Sequence, residues 1–260
     1  MTSWPVANPW SAPVFYVEST LSTMEDAQRL DDQGYPGGTV VAAGYQERGR
    51  GRFPQRAWAA EPGKNLLFTL LLDLDPGFPP QRLPLLAGLA LARSVEDHFG
   101  LEVEVKWPND LLCGQQKLAG VLCQARTRAA IAGSASLRPP GSARALVGVG
   151  VNCNQLVFPP GLAGRACSLA GLLGREVSLP GLLADILAAL HTALGDGTWR
   201  AGLQLRLYGV GREATIRAEG GGVSIAGRMR GVAEDGALLL ESGGRIRTIY
   251  SGELLFQPEA

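Results

Sequence analysis

The chain has 260 residues, of which 46% are hydrophobic and 18% are charged. This composition predicts one large domain, or a main domain with a small one, around a sizeable core, and it excludes a disordered chain. The 24 basic residues balance 24 acidic ones, so nucleic acid is not expected as the main partner and any cationic site must be local. Apolar runs such as 66–72 are far shorter than the roughly 20 residues of a membrane span, so no membrane partner is expected.

The few cysteines limit the sites that the chain can build. No two of them form a CxxC pair, which disfavours both a zinc site and a disulfide framework. All four are predicted to be reduced and mostly buried thiols of an intracellular protein. They are Cys113, Cys123, Cys153 and Cys167. Because the N-terminus has neither a basic nor an apolar signal region, we expect a cytoplasmic protein.

The first predicted elements alternate strands with a helix. Short strands are predicted at 14–17, 39–43 and 65–72. Ser22 and Glu25 have the spacing of a capping box, which predicts a helix from Ser22 to about Leu30. A basic loop separates the last two of these strands.

The next elements are predicted from helical or alternating apolar spacing. They are a helix at 84–99, strands at 101–105, 111–113, 117–124 and 145–152, a flexible loop at 134–142, and a helix at 180–194. Ser178 is the expected N-cap of the last helix.

After residue 210 the pattern changes to short β-like segments that glycines separate. Turn signals recur about every eight to twelve residues, which is typical of a small all-β unit. We therefore expect a main domain at 1–210 and a β-barrel-like domain of about 45 residues within 211–260, docked on the first because it is too small to be very stable alone.

The basic loop is the first candidate site. It carries Arg48, Arg50, Arg52 and Arg56, interleaved with Gly49 and Gly51, and it leads to Trp58. Arginine forks match phosphate and carboxylate oxygens, and glycine lets a backbone approach a ligand closely. A solvated surface loop would carry the same residues, and that alternative stays open. A nucleic-acid patch is disfavoured because the run is short and Trp58 could stack on one planar ring.

The segment 106–120, KWPNDLLCGQQKLAG, carries a high polar load for an apolar stretch. Pro108 breaks any continuous strand or helix, and it places Asn109 and Asp110 in a turn at a strand end, where loops carry function. Lys117 lies on the next apolar strand. A snorkelling surface lysine is the alternative, but the apolar neighbours favour an ammonium group directed into a pocket, where it would neutralise phosphate or carboxylate charge.

A third candidate is GVGVNCN at 148–154, which places glycines inside a predicted strand. Such glycines indicate close approach of a ligand or of another backbone. No helix follows them as in a dinucleotide-binding fingerprint, so NAD binding is rejected.

Taken in order, five segments of the chain resemble the biotin protein ligases. They are STMEDA at 22–27, GRGR with a following Trp at 49–58, KWPND at 106–110, KLAG at 117–120 and GVGVN at 148–152. The C-terminal GALLLESGGRIRTIYSGEL is similar to the small terminal domain of that family. The resemblance implies an α/β (α+β) fold, with a class II aminoacyl-tRNA-synthetase-like catalytic core and a C-terminal SH3-like small β-barrel.

The resemblance implies a two-step ligase. Biotin and MgATP would give biotinyl-5′-AMP and pyrophosphate, and a specific lysine of the biotin carboxyl carrier domain of a biotin-dependent carboxylase would then attack the mixed anhydride. ATP and Mg²⁺ are the implied cofactors, with no protein side chain assigned to the metal. The implied assembly is a monomer or a homodimer.

The family motifs imply a role for individual residues of this chain. Those matched to the biotin site are Ser22, Thr23, Gln46, Gly49, Arg50, Lys117 and Gly120. Ser22, Thr23 and Gln46 would hydrogen-bond the ureido ring, because a neutral polar ring needs apolar walls with a few placed polar groups. The residues matched to ATP and the adenylate are Arg52, Trp58, Asn109, Lys117 and Asn152, with Trp58 stacked near adenine and Asn152 on its edge.

The matched catalytic residues are Arg50, Arg52, Asp110 and Lys117. The reaction brings a carboxylate onto an α-phosphate, so two anions must meet, and fixed cations lower that barrier. Lys117 would hold oxygens of both anions, and Asp110 would orient the acceptor lysine or assist its deprotonation. The arginine loop is expected to become ordered when ligand binds.

Three departures from the family pattern accompany these matches. Met24 replaces the usual Asn of STN, which alters a helix cap or a pocket edge. The loop between GRGR and Trp58 is one residue longer, which shifts the register of Arg56. Too few residues precede Ser22 for a helix-turn-helix domain, so the resemblance is to the monofunctional type without an N-terminal DNA-binding domain, and no binding to operator DNA is expected.

Two other functions fit the same fold. A non-catalytic biotin-binding or regulatory module would bind biotin without pyrophosphate release, although it would not need cations at a phosphate. A lipoate-type protein ligase would share the adenylation chemistry, although such ligases generally lack KWPND and act on a flexible acid without a ureido ring.

Overall fold

The computed structural model describes residues 1–53, 57–127, 143–218 and 224–256. The flexible loop predicted at 134–142 and the register of Arg56 lie outside the described residues. Within these ranges the chain forms two sheets, and all of its α-helices belong to the part that precedes the second sheet.

The larger sheet is mixed and has eight strands. They are β1 (Thr2–Ser3), β2 (Val14–Thr20), β3 (Val40–Gln46), β4 (Leu66–Leu74), β5 (Glu104–Lys106), β6 (Asp110–Cys113), β7 (Gln116–Thr127) and β8 (Ala143–Val151). Their order across the sheet is β1-β2-β3-β4-β8-β7-β6-β5. β2 and β3 run parallel, and the other neighbouring pairs run antiparallel.

Five α-helices accompany this sheet. They are α1 (Thr23–Asp32), α2 (Leu83–Phe99), α3 (Leu169–Leu173), α4 (Leu179–Gly195) and α5 (Trp199–Gln204). Both predicted N-caps are confirmed: Ser22 Oγ accepts from the backbone N–H of Met24 at 3.3 Å, and Ser178 Oγ accepts from that of Gly181 at 3.3 Å. Glu25, the other half of the predicted capping box, pairs its carboxylate with Arg50 of the basic loop.

Most predicted elements are confirmed, with bounds that shift by a few residues. The strand predicted at 101–105 is wrong at its start, because β5 begins at Glu104. Among the α-helices and strands that precede the second sheet, three short ones have no counterpart among the predictions, namely β1, α3 and α5. They have two, five and six residues, too few for a hydrophobic period to stand out.

Each face of the large sheet packs against a different hydrophobic cluster. Because side chains alternate along a strand, neighbouring residues of one strand belong to different clusters. Val147 and Val149 of β8 belong to the main core, which also contains buried residues of α2 and α4. Leu146, on the opposite face of β8, packs in a smaller cluster with Ala27 and Leu30 of α1. The N-terminus of α1 therefore lies on the face of the sheet that carries the even-numbered residues of β8.

The second sheet contains the five C-terminal strands and is antiparallel. They are β9 (Glu213–Arg217), β10 (Ile225–Val232), β11 (Leu238–Ser242), β12 (Arg245–Ile249) and β13 (Glu253–Phe256), in the order β12-β11-β10-β9-β13. Trp107, only 2% exposed, joins the sheets by donating its indole N–H to the carbonyl oxygen of Gly236 at 3.2 Å. The second sheet begins at Glu213, and the domain boundary between 210 and 211 stays a prediction.

Candidate active site

Three glycines form a bare floor on the α1 face of the large sheet. Gly120 of β7 is the cross-strand partner of Gly150 of β8, and Gly148 lies two residues before Gly150, so all three face the same side. We call these three residues the glycine floor. Because no side chain projects from them, another group can approach the backbone closely.

Two side chains rest on the glycine floor. A Cβ added to Gly150 would lie 2.6 Å from Cε2 of Trp58, and one added to Gly120 would lie 3.0 Å from Cζ3 of the same ring. A Cβ added to Gly148 would lie 2.7 Å from Sδ of Met24. The Trp58 indole N–H is buried and finds no acceptor among the described residues, so this donor is available to a ligand.

A polar cluster lies at the N-terminus of α1, beside the floor. Gln46 Oε1 accepts from the backbone N–H of Thr23 at 2.8 Å and from its hydroxyl group at 3.1 Å. The same hydroxyl lies 2.9 Å from Oγ1 of the buried Thr69. We call Ser22, Thr23 and Gln46 the polar cluster. It offers hydroxyl and amide groups of fixed position next to an apolar floor, as a neutral ring with hydrogen-bonding edges requires.

An ion pair stands at the opposite end of the site. Nζ of Lys117 lies 2.6 Å from Oδ1 of Asp110 and 5.4 Å from the centre of the Trp58 ring. The side chains of Lys117 and Asp110 are 37% and 27% exposed, so the pair can reach a solvent-filled cavity. Lys117 thus points into a pocket, as its apolar neighbours in the sequence predicted.

A β-bulge brings Lys117 to this face. Asp110 pairs with Gly120 and Leu111 with Ala119, but Leu112 pairs with Lys117, so β7 contains one extra residue at this point. Residues three apart on a regular strand face opposite sides. The bulge cancels that alternation and lets Lys117 share the face of Gly120, in line with the frequent use of bulges to redirect side chains near active sites.

Two arginines of the basic loop, Arg50 and Arg52, contact other groups of the protein. Arg50 contacts the Glu25 carboxylate, and its backbone pairs with Ala57. Arg52 donates from Nη2 to the carbonyl oxygen of Gly252 at 2.8 Å and lies 4.5 Å from the centre of the Phe53 ring. Both cations can be redirected, since neither side chain is buried in the core.

The side-chain amides of Asn109 and Asn152 donate hydrogen bonds to backbone carbonyl oxygens. Nδ2 of Asn109 donates to the carbonyl oxygen of Val121 at 2.8 Å. Nδ2 of Asn152 donates to the carbonyl oxygens of Lys117 and Cys167, at 3.2 and 3.0 Å. Each amide therefore holds a segment that carries a site residue, and the adenine-edge role of Asn152 stays a prediction.

These parts enclose one cavity of about 860 Å³. Every residue that the family motifs assign to the site lines it, except Gly49. Gly49 instead lies under Trp58: its carbonyl oxygen accepts from the Trp58 backbone N–H at 2.9 Å, and a Cβ on Gly49 would lie 3.0 Å from the Trp58 carbonyl oxygen. This glycine allows the two sides of the loop to approach each other.

Two family models match parts of the chain. A family model described as Biotin/lipoate A/B protein ligase family matches residues 16–136, and another described as Biotin protein ligase C terminal domain matches residues 210–256. The chain belongs to the biotin protein ligase family.

Relatives in the biotin protein ligase family cover most of the chain. It is 29% identical to Bifunctional ligase/repressor BirA of Bacillus subtilis over 93% of this chain and 73% of the relative. It is 29% identical to Biotin--[acetyl-CoA-carboxylase] ligase of Mycobacterium tuberculosis, over 84% of this chain and 79% of that one.

A solved structure of the family confirms the fold class. The biotin protein ligase from Aquifex aeolicus in complex with biotin and ATP has a TM-score of 0.76 and 25% identity, and the match covers 95% of this chain and 99% of that one. This chain therefore has the class II aminoacyl-tRNA-synthetase-like α/β core of biotin protein ligases and a β-rich C-terminal domain.

Several cavity residues were not predicted from the sequence. Met24 was noted only as a departure from the family pattern, and Phe53 and Arg165 carried no motif of their own. The C-terminal part of the chain contributes a further group of lining residues: Tyr208, Arg212, Glu253, Leu254, Leu255 and Phe256. Their place depends on how the second sheet packs against the first, which no local pattern encodes.

Within the described ranges, no three His, Cys, Asp or Glu residues are grouped as metal ligands. The four cysteines are free thiols, and burial raises the pKa of Cys167, near Lys117, to about 11. None of the described helices has the length and apolar character of a membrane-spanning segment.

Proposed function

We propose that the chain is a biotin–[biotin carboxyl carrier protein] ligase that makes biotinyl-5′-AMP and transfers the biotinyl group to a lysine of a carrier domain. The observation that carries this proposal is the position of the Lys117–Asp110 pair at one end of a glycine floor whose other end adjoins the polar cluster. A ring and a carboxylate of one substrate can then occupy both ends of the site together.

Biotin binding would use the glycine floor and the polar cluster. The ureido group offers both donors and an acceptor, and the hydroxyl and amide groups of Ser22, Thr23 and Gln46 complement it. The Trp58 ring and the Met24 side chain, which rest on the floor, supply the apolar walls that a compact ring requires. The valeryl chain would run toward Lys117 along the face that Gly120 and Lys117 share.

Adenylation would join the biotin carboxylate to the α-phosphate of ATP beside positively charged side chains. A biotin carboxylate oxygen attacks the α-phosphorus of ATP, a new P–O bond forms, and the bond to pyrophosphate breaks. Lys117 would hold oxygens of both partners, and Arg50 and Arg52 would leave Glu25 and the Gly252 carbonyl to neutralise the phosphates. Trp58 would lie against the adenine ring, with its unpaired indole N–H turned toward the nucleotide.

Transfer would then consume the adenylate. The neutral amine of the acceptor lysine attacks the acyl carbon, an amide bond forms, the acyl C–O bond breaks and AMP leaves with its phosphate oxygen. The amine must lose protons along the way. Asp110, paired with Lys117, would orient the incoming ammonium group and assist its deprotonation.

Mg²⁺ would reach this site with the nucleotide. Asp110 and Glu253 are carboxylates on the cavity wall, which suits a cation that keeps several waters and binds mainly phosphate oxygens. The donor set present therefore fits MgATP, and the metal would supply charge neutralisation at the phosphates. Cytoplasmic location and a monomeric or homodimeric state belong to the same proposal.

The test is pyrophosphate release from biotin and MgATP, with and without a biotin carboxyl carrier domain, together with the mass of that domain. We expect release with biotin and a carrier mass increased by one biotinyl group. Lipoate in place of biotin should give no release. Tight biotin binding without pyrophosphate would instead identify a non-catalytic binding module, and carrier modification by lipoate would identify a lipoate-type ligase.

A further inference from the structure

Met24 covers the end of the glycine floor that adjoins the polar cluster. Its Sδ lies 2.7 Å, and its Cγ 3.3 Å, from the point that a Cβ on Gly148 would occupy. The thioether therefore fills the space that the missing side chain leaves. Met24 also directly follows Thr23, whose backbone N–H and hydroxyl group bond Gln46, so its position is fixed by the same helix N-terminus that builds the polar cluster.

The environment of Met24 is apolar on one side and open on the other. Its side chain packs against the small cluster under α1, which includes Ala27 and Leu146, and it lines the cavity together with Gly148 and Leu122. A thioether on that wall offers no hydrogen-bond donor. A polar ligand atom placed against it would lose water without gaining a partner.

We infer that Met24 is a specificity-determining residue, which sets the depth of the ring site and selects against a ring with a polar group at this edge. This inference rests on the proposed function. The site would accept a compact ring whose ureido edge meets the polar cluster and whose neighbouring edge is apolar. Oxidation or other polar substitution of that apolar edge would weaken binding.

The Met24–Gly148 contact gives a direct test by a double-mutant cycle. Alone, Gly148→Ala pushes the thioether into the cavity, and we expect the KM for biotin to rise about tenfold. In a Met24→Ala background the nearest remaining atom to the added methyl group is the carbonyl oxygen of Leu122, at 3.3 Å, so the same change should alter KM by less than about threefold. An equal effect of Gly148→Ala in both backgrounds would overturn the inference.

A second experiment tests the polarity of the side chain at position 24 separately from its size. For the parent chain and for Met24→Asn and Met24→Leu, kcat/KM is measured with biotin and with biotin sulfoxide, which carries one added polar oxygen. We expect the preference for biotin to fall about tenfold in the Asn variant, which supplies a donor, and to persist in the Leu variant. Similar preferences in all three proteins, or loss of preference in the Leu variant, would contradict the inference.

The control and an independent readout separate this inference from the proposed function. Leu30→Ala removes core packing from the same helix and should leave the preference between the two acids unchanged. Binding of both acids is also measured by calorimetry, which requires no turnover. A parent chain that binds biotin but releases no pyrophosphate would defeat the proposed activity, while the calorimetric preference would still decide the role of Met24.

Discussion

Lys117 Nζ lies 2.6 Å from Asp110 Oδ1, on the face of the sheet that also carries the glycine floor. The two residues come from adjacent antiparallel strands, and both side chains are partly exposed to the cavity. An exposed pair of this kind contributes only about 0–1 kcal/mol to the free energy of unfolding. Its charges are therefore more important for a ligand than for the fold.

Replacement of Lys117 by Ala should accordingly separate activity from stability. We expect adenylate formation to fall at least about 100-fold, because a fixed cation at the reacting oxygens is lost. The free energy of unfolding should change by less than about 1 kcal/mol. Lys64→Ala is the matched control, since Lys64 is another surface lysine that pairs with a carboxylate, Glu176. Equal losses of activity and stability in Lys117→Ala would make this lysine structural.

Arg50 and Glu25 should affect adenylate retention in opposite directions. Arg50→Ala removes a phosphate-binding cation, so the biotinyl-adenylate should dissociate about tenfold faster. Glu25→Gln removes the competing carboxylate, so dissociation should slow by about two- to fivefold. Release of labelled adenylate measures both, with Arg29→Ala, another exposed arginine of the region, as control. Unchanged release in Arg50→Ala would exclude this role.

Gly150→Ala should displace the Trp58 ring. The new Cβ would lie 2.6 Å from Cε2 and 2.8 Å from Cζ2, which is closer than two carbon atoms approach. We expect about 1–3 kcal/mol of destabilisation and a raised KM for ATP, because the ring can no longer lie on the floor. Gly161→Ala is the control, since its Cβ would meet no atom within 4 Å. Chemical denaturation and ATP-dependent kinetics check both effects.

A buried ion pair holds the C-terminal end of α1. Asp31 and Arg144 are 3% and 2% exposed at their side chains, and Arg144 Nη1 donates to Asp31 Oδ1 at 2.8 Å. Asp31→Asn should lower the free energy of unfolding by about 3 kcal/mol, because the guanidinium loses a charged partner in the interior. Asp32→Asn, at a residue whose side chain is 53% exposed, should cost less than about 1 kcal/mol. Urea denaturation compares the two.

The buried thiols predict a loss of stability at alkaline pH. Burial raises the pKa of Cys153 from 9.0 to about 12 and that of Cys167 to about 11. Because the unfolded chain releases these protons first, the stabilisation is fully present below about pH 9 and is lost as pH rises toward the folded-state values. At pH 7 a thiol reagent should react rapidly with four cysteines only after denaturation. Rapid reaction of Cys153 in the native protein would contradict the burial.

Local patterns predicted much of this molecule because the relevant forces act over a few residues. Ser22 caps α1 through its own hydroxyl, and a strand of continuous apolar residues such as β4 is buried wherever it lies. The inward direction of Lys117 was also predicted, from its apolar neighbours. In each case a residue and its near neighbours contain the information.

The features that the sequence did not predict depend on contacts between segments that are distant in the chain. The seat of Met24 on Gly148 joins residues 124 positions apart, and the Arg52 bond to Gly252 joins residues 200 positions apart. Trp107, within the KWPND motif, is buried and donates its indole N–H to the carbonyl oxygen of Gly236, 129 positions further along the chain. No propensity or spacing rule reports such pairs.

The bulge in β7 determines the face of the sheet on which Lys117 lies. Lys117 and Gly120 lie three positions apart, yet both face the cavity because Leu118 is the surplus residue between the pairs that flank it. A regular strand through the same residues, without the bulge, would place Lys117 and Gly120 on opposite faces and turn the ammonium group toward the hydrophobic core. Two relatives with the same letters in this segment would therefore differ in competence if one of them paired this strand without the bulge.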